Sequence, residues 1–287
     1  MNSSELKLQD IRPDTIYDFS FPHCPQRGAD LEKKFPGLPL LIVDHERRLV
    51  WGHDRFRWLL GRGRKRAVVL QVTLDRASAL FLNFNLSNRL FGLNLYEKLL
   101  FIRKISGLCL PAEIQRRAEL DFSLNDALLR SLDALLDVRL RKALAGGHLC
   151  LKAALRLTGL SVSDQKALLG LLLKVRFSES HQLQIMQLLE EIAFREKRPL
   201  AGSLASLRLG AWLKREMPQR GIMDALNRRR FPAFMRRESD WRQWQKKKAA
   251  PGRVALSHAP FFASEEIQIL LTAKNSVDAE KILKKLK

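Results

Sequence analysis

The stretch Leu38-Pro39-Leu40-Leu41-Ile42-Val43-Asp44-His45-Glu46-Arg47-Arg48-Leu49-Val50-Trp51-Gly52-His53-Asp54-Arg55-Phe56-Arg57-Trp58-Leu59-Leu60 reads as strand, turn, strand, turn, helix. Leu40 to Val43 is a short apolar run between Pro39 and the polar segment Asp44 to Arg48, the pattern of a buried strand entering a tight connection. Leu49-Val50-Trp51 is the returning strand, and Gly52 ends it. Phe56, Leu59 and Leu60 then recur at helical spacings of three and four. A helix that starts straight after a glycine presents its first N–H groups without intrahelical partners, and the glycine lets a ligand approach the backbone. Such a place suits a phosphate. Arg55 and Arg57 add guanidinium donors able to grip pairs of oxygen atoms there. The plainer alternative is an ordinary turn flanked by two solvated arginines.

Outward from this stretch, Leu6 to Ile11 alternates like a half-buried strand, Phe19 to Gly28 is a loop, and Asp30 to Phe35 is a short helix. On the other side, Gly61 to Arg66 is a basic turn and Ala67 to Thr73 a strand. From Ala77 helical spacing takes over, with Leu95, Leu99, Ile102 and Ile105 on one apolar face. Ala112 to Leu120 and Leu124 to Leu136 form a helix-turn-helix-like pair, with Ser123 as the expected N-cap. Its second helix would present Asn125, Asp126, Leu129 and Arg130, a poor set for a DNA groove because Asp126 repels phosphate. An ordinary pair of packing helices is the competing reading. Ser161 and Ser178 each stand in cap position before a further helix.

After Pro199 the composition shifts. Lys214-Arg215, Arg228-Arg229-Arg230, Arg236-Arg237 and Lys246-Lys247-Lys248 alternate with Trp212, Phe231, Phe234, Trp241 and Trp244. Such a segment can follow a nucleic-acid backbone and stack bases, or it can bury its aromatics and solvate its charges. Arg253 to Leu256 and Ile267 to Leu271 read as two short strands around a loop holding Pro260-Phe261-Phe262, and Ser276 as the cap of a basic last helix. The expected architecture is α+β: a small N-terminal α+β domain over 1–95, an all-α middle domain over 96–200, and a small basic α+β module over 201–287.

Charge narrows the partners. Fifty-one Lys and Arg against 30 Asp and Glu give a net +21 over 287 residues, which favours a polyanion, DNA before any membrane surface. Cys24, Cys109 and Cys150 are far apart and have neither metal nor redox spacing. His148 and His181 are lone histidines without a second ligand at metal spacing. With no signal-type leader and no apolar run of spanning length, a cytoplasmic protein is expected.

Pro39 to Arg57 resembles the N-terminal domain of the ParB/sulfiredoxin superfamily, in which an apolar strand, a turn and a second strand lead to a glycine-arginine box and a helix. Gly52, Arg55 and Arg57 match that box, while His53 and Asp54 stand where archetypal partition proteins have a glutamate and an arginine. Asn85 to Glu97 is similar to the family's second box through Arg89, Leu93, Asn94 and Glu97, with Asn85 or Asn88 as its asparagine. A weaker likeness runs on to about residue 200. The resemblance implies a DNA-binding, nucleoid-associated partition-type protein whose box holds a nucleoside triphosphate, CTP in the archetypes, with Mg2+, and which acts as a homodimer. By the same likeness, Gly52, Arg55 and Arg57 would contact phosphate and Asn88 and Arg89 would close over the nucleotide. DNA contacts are expected from Arg130, from Arg228, Arg229 and Arg230, and from Lys246, Lys247 and Lys248.

The fold also hosts enzymes, so a nuclease or nucleotide-dependent phosphotransferase is the alternative. His53 and Asp54 would be its catalytic residues, with Glu97 as a further carboxylate and Asp44 and Asp75 more remote. His53 in place of the glutamate weakens the case for hydrolysis, and the absence of a cysteine beside the box argues against peroxiredoxin repair.

Overall fold

The computed structural model describes residues 2–21, 25–36, 38, 40–207, 218–248, 254–259, 264, 266–276 and 279. Its main sheet contains β1 (Asn2–Lys7), β2 (Ile42–Val43), β3 (Leu49–Trp51) and β4 (Arg66–Gln71), in the order β1-β4-β2-β3. β2 and β3 pair antiparallel through Ile42 and Trp51. The chain then crosses over through α2 (His53–Gly61) and returns as β4, which is why β4 lies parallel to β2, with Leu70 opposite Ile42. β1 closes the other side antiparallel, Asn2 opposite Gln71 and Lys7 opposite Arg66.

Successive strand residues point to opposite faces, and the two faces carry two cores. Leu41, Val43, Leu49 and Val69 pack with Phe56 and Leu59 of α2. Leu40, Ile42 and Val50 belong to a larger cluster with α3 (Arg76–Phe91), which Trp51 joins at the end of β3, where the pairing with β2 is irregular. Phe84 of α3 stacks on Phe101 of α4 (Leu95–Ile105) with ring centroids 4.1 Å apart. The larger cluster continues without a break through the helices that follow, as far as Leu226. One apolar core therefore runs across residue 95, where a domain boundary was expected.

Two expectations need correction. The strand foreseen over Leu6 to Ile11 ends at Lys7, and Leu8–Asp10 is a 3-10 turn that buries both Leu8 and Ile11. The second helix of the helix-turn-helix-like pair is not one long helix. α5 (Pro111–Ala118) is followed by α6 (Asp126–Arg130) and α7 (Leu132–Leu135), separated at Ser131. Asn125, not Ser123, caps α6, its side chain accepting from the Leu128 N–H at 2.9 Å. A five-residue α6 offers little length to a groove, although Arg130 at its end is exposed.

After α8 (Val138–Ala145) and α9 (Leu151–Thr158), Ser161 and Ser178 do cap α10 (Val162–Leu172) and α11 (Glu179–Glu196). Beyond α12 (Leu200–Ser206) come α13 (Pro218–Arg230), α14 (Pro232–Lys248) and a two-stranded sheet of β5 (Val254–His258) and β6 (Ile267–Leu271). Cys24, Trp212, Lys214-Arg215, Pro260-Phe261-Phe262 and most of the expected last helix lie outside the described residues. No helix among the described residues is long and apolar enough to cross a membrane.

Candidate functional site

Gly52 sits between β3 and α2 with φ +95°, a conformation that L side chains rarely adopt. A Cβ there would lie 2.5 Å from the Leu40 carbonyl oxygen and 2.9 Å from the Leu41 side chain. Glycine is thus required by the strand beside it as well as by the turn. The Gly52 carbonyl accepts the Phe56 N–H at 2.8 Å, so α2 begins at once.

A second helix covers that beginning. α1 (Pro25–Lys34) crosses α2 so closely that a Cβ on Gly28 would stand 2.8 Å from the Arg55 Cα and 2.9 Å from the Asp54 carbonyl oxygen. Between them is a cavity of about 40 Å³ lined by Gly52, His53, Asp54 and Arg55 together with Asp18 and Arg27. That volume suits one water molecule or a pair.

The cationic side chains here are already paired with carboxylates. Arg55 contacts Glu32 of α1. Arg57 contacts Asp18, and its Nη1 donates to Asp54 at 3.1 Å. Arg27 of α1 donates to Glu97 at 2.7 Å and lies 4.0 Å from Asp54. Arg55 and His53 are buried, and one polar atom of each, Arg55 Nη1 and His53 Nε2, has no hydrogen-bond partner. Buried polar atoms of that kind ask for an explanation in a ligand or a water.

Burial drives the His53 pKa down to about 4; the Asp18 charge and a hydrogen bond to the Asp14 backbone oppose this, and Arg57 reinforces it. The ring is therefore neutral at pH 7. Its Nε2 is the buried nitrogen that no protein group meets. Asp18 is held below the usual carboxylate range: burial pushes it up, and the His53 ring, the Ser20 hydroxyl and Arg57 together outweigh that.

The other expected site residues fall elsewhere. Arg57 does not line the cavity. The Asn88 side chain accepts the Leu93 N–H at 3.2 Å, and Arg89 is exposed on α3; neither reaches the cavity. Glu97 is not a free carboxylate. It is wholly buried, accepts from Arg27 and from the backbone N–H groups of Phe21 and Asn94, and forms the capping box of α4 with Asn94. Asp44 is held by Arg48, and Asp75 caps α3. Among the described residues no group of three His, Cys, Asp or Glu is placed to hold a metal ion. Asp18, Arg27 and Glu32 are the participants that sequence reasoning passed over.

The basic triplet at the end of α13 divides. Arg229 makes two bonds to Glu196, at 2.7 and 2.8 Å, and Arg230 one to Glu191 at 2.5 Å, both carboxylates lying on α11. These two arginines dock α13. Arg228 is exposed, and with Arg236, Arg242 and Lys246 it borders a groove of about 540 Å³ along α14. Glu238, which binds Arg242 at 3.1 Å, is the acidic residue in that groove. Lys247 is exposed and Lys248 ends the same helix. Trp241 packs edge-on against His258 of β5, while Trp244 stays 39% exposed.

No family model and no curated protein matches the chain. Two solved structures of a pNOB8-like ParB N-domain, one in its C2221 crystal form, do match, at 18 and 20% identity. The matches cover 78% of this chain in both cases, and 83% and 78% of the matched chains. The TM-score is 0.32 for each. Superpositions that loose carry no weight of their own, and the functional reading rests on the residues described above.

Proposed function

We propose that this is a ParB-like, DNA-associated protein whose α2 start is a nucleotide phosphate site. The observation that carries the reading is the conjunction at one cavity of a left-handed glycine, the first turn of a helix, and an arginine buried with an unpartnered guanidinium nitrogen. The strand-turn-strand-glycine-arginine order that resembles the ParB box supplies the family, and the net charge of +21 supplies the polyanion. Gly52 and Arg55 are the residues best placed for phosphate. Mg2+ would arrive with the polyphosphate, its remaining positions filled by water.

DNA contact is assigned to the α14 groove. Arg236, Arg242 and Lys246 of that helix all line the groove, and Arg228 adds a fourth cation. Binding is favoured over turnover, because Asp54 is held by Arg57 and Glu97 is spent on a cap and an ion pair. The test is a titration with each nucleoside triphosphate and Mg2+, with and without duplex DNA, following affinity and phosphate release together. Binding without release supports the reading. Steady release that Asp54→Asn abolishes would replace it with the enzyme alternative, and no binding of either ligand at low salt would end it.

A further inference from the structure

Arg55 is gripped by a residue of the helix that covers it, and the two ends of that helix are held unequally. At Arg27, α1 is fastened to Glu97, a carboxylate with no exposed surface and two backbone N–H donors of its own. At Glu32 it is fastened to Arg55 by a carboxylate whose side chain is 40% exposed. The Glu32 oxygen that meets Arg55 is buried, but the rest of that side chain reaches solvent, so a small outward turn returns the carboxylate to water, whereas Arg55, only 10% exposed, stays behind with its charge to satisfy. Its Nη1 already lacks a partner, so the guanidinium offers more donors than one carboxylate uses.

Space points the same way. A nucleoside triphosphate needs a pocket on the order of several hundred Å³. The cavity at the α2 start has about 40 Å³, and Gly28 of α1 lies against the backbone of Asp54 and Arg55 with no gap. A polyphosphate reaches Arg55 only if α1 moves.

We propose that Glu32 is an internal stand-in for the ligand: its carboxylate occupies Arg55 in the free protein, and a nucleoside triphosphate binds by taking over that guanidinium as α1 moves off the start of α2. This rests on the phosphate-site reading above and adds a regulatory residue to it. Affinity is then set by a competition between one carboxylate on the protein and the more highly charged phosphate chain.

The experiment is calorimetric titration of the full chain with ATP, GTP, CTP and UTP plus Mg2+, for wild type, Glu32→Gln and Arg55→Ala, with circular dichroism as the check on folding. Glu32→Gln keeps the shape and removes the competing charge, so the preferred triphosphate binds about tenfold tighter. Arg55→Ala loses that binding, and amide exchange along α1 speeds up when nucleotide is added to wild type. If wild type binds a triphosphate and Glu32→Gln binds it equally or less well, the stand-in is refuted while the phosphate site survives. Slower exchange of α1 with nucleotide refutes the movement. If neither wild type nor Glu32→Gln binds any triphosphate, the phosphate site falls as well.

Discussion

Replacing a glycine by alanine should have opposite consequences at the two ends of α2. At Gly52 the substitution places a side chain at φ +95°, which costs about 1–2 kcal/mol for an L residue. The new methyl would also stand 2.5 Å from the Leu40 carbonyl oxygen, which belongs to a backbone that cannot swing aside like a flexible side chain. Forcing β2 and α2 apart adds a further ~1–3 kcal/mol, typical of overpacking. The total is about 3 kcal/mol, which lowers the midpoint of a cooperative unit of this size by roughly 6–12 °C. At Gly61, the last residue of α2, nothing lies within 4 Å of the added methyl and φ is not positive. There alanine should raise stability by up to ~1 kcal/mol, mainly by restricting the unfolded chain. Thermal unfolding followed by circular dichroism on Gly52→Ala and Gly61→Ala, side by side, measures the contrast. Equal melting temperatures for the two variants would show that the left-handed turn and the close approach to Leu40 are not as described.

Further outcomes follow from other residues. The folded-state pKa of His53 is about 4, well below its ordinary 6.5, so its contribution to stability is full above pH 6.5 and is lost as the pH falls through 4. The loss amounts to a few kcal/mol, and urea titrations at a series of pH values should show it in wild type and not in His53→Gln. Glu97→Ala removes the acceptor of Arg27 and of the Phe21 and Asn94 backbone N–H groups at a wholly buried position and should cost on the order of 3–5 kcal/mol in denaturant unfolding; a loss under about 1 kcal/mol would mean that the position is not sealed from water. Arg228→Ala should weaken DNA binding and flatten its log–log salt dependence by about one unit while leaving the melting temperature unchanged. Arg229→Ala should instead lower the melting temperature by undocking α13 from α11, and the reverse pattern would exchange the roles of the two arginines.

Local signals were legible and distant ones were not. Leu49-Val50-Trp51 followed by glycine marked β3 and the start of α2 to the residue, and the serines at 161 and 178 marked two helix starts, because alternation and caps act over three or four residues. Arg55 lines a cavity, but its partner Glu32 belongs to a different element, and no spacing in a sequence announces which of 30 carboxylates an arginine will meet. The same holds for Asp18 with Arg57 and for Glu196 with Arg229. One misreading was avoidable. Asn94-Leu95-Tyr96-Glu97 before an apolar stripe is a capping-box signature, which marked Glu97 as a helix-start residue before any catalytic role was weighed. The break at Ser131 had no comparable signal, since Leu124 to Leu136 keeps helical spacing throughout.

Among the described residues that it joins, the apolar cluster from Tyr17 to Leu226 leaves no fault line at the expected boundary near residue 95. Heating should produce a single calorimetric peak from this region, and a protease nick near residue 95 should leave two pieces that stay together until both melt. A disturbance at the glycine of the box should then be felt at the far helices as a shared loss of order rather than as a message passed between modules.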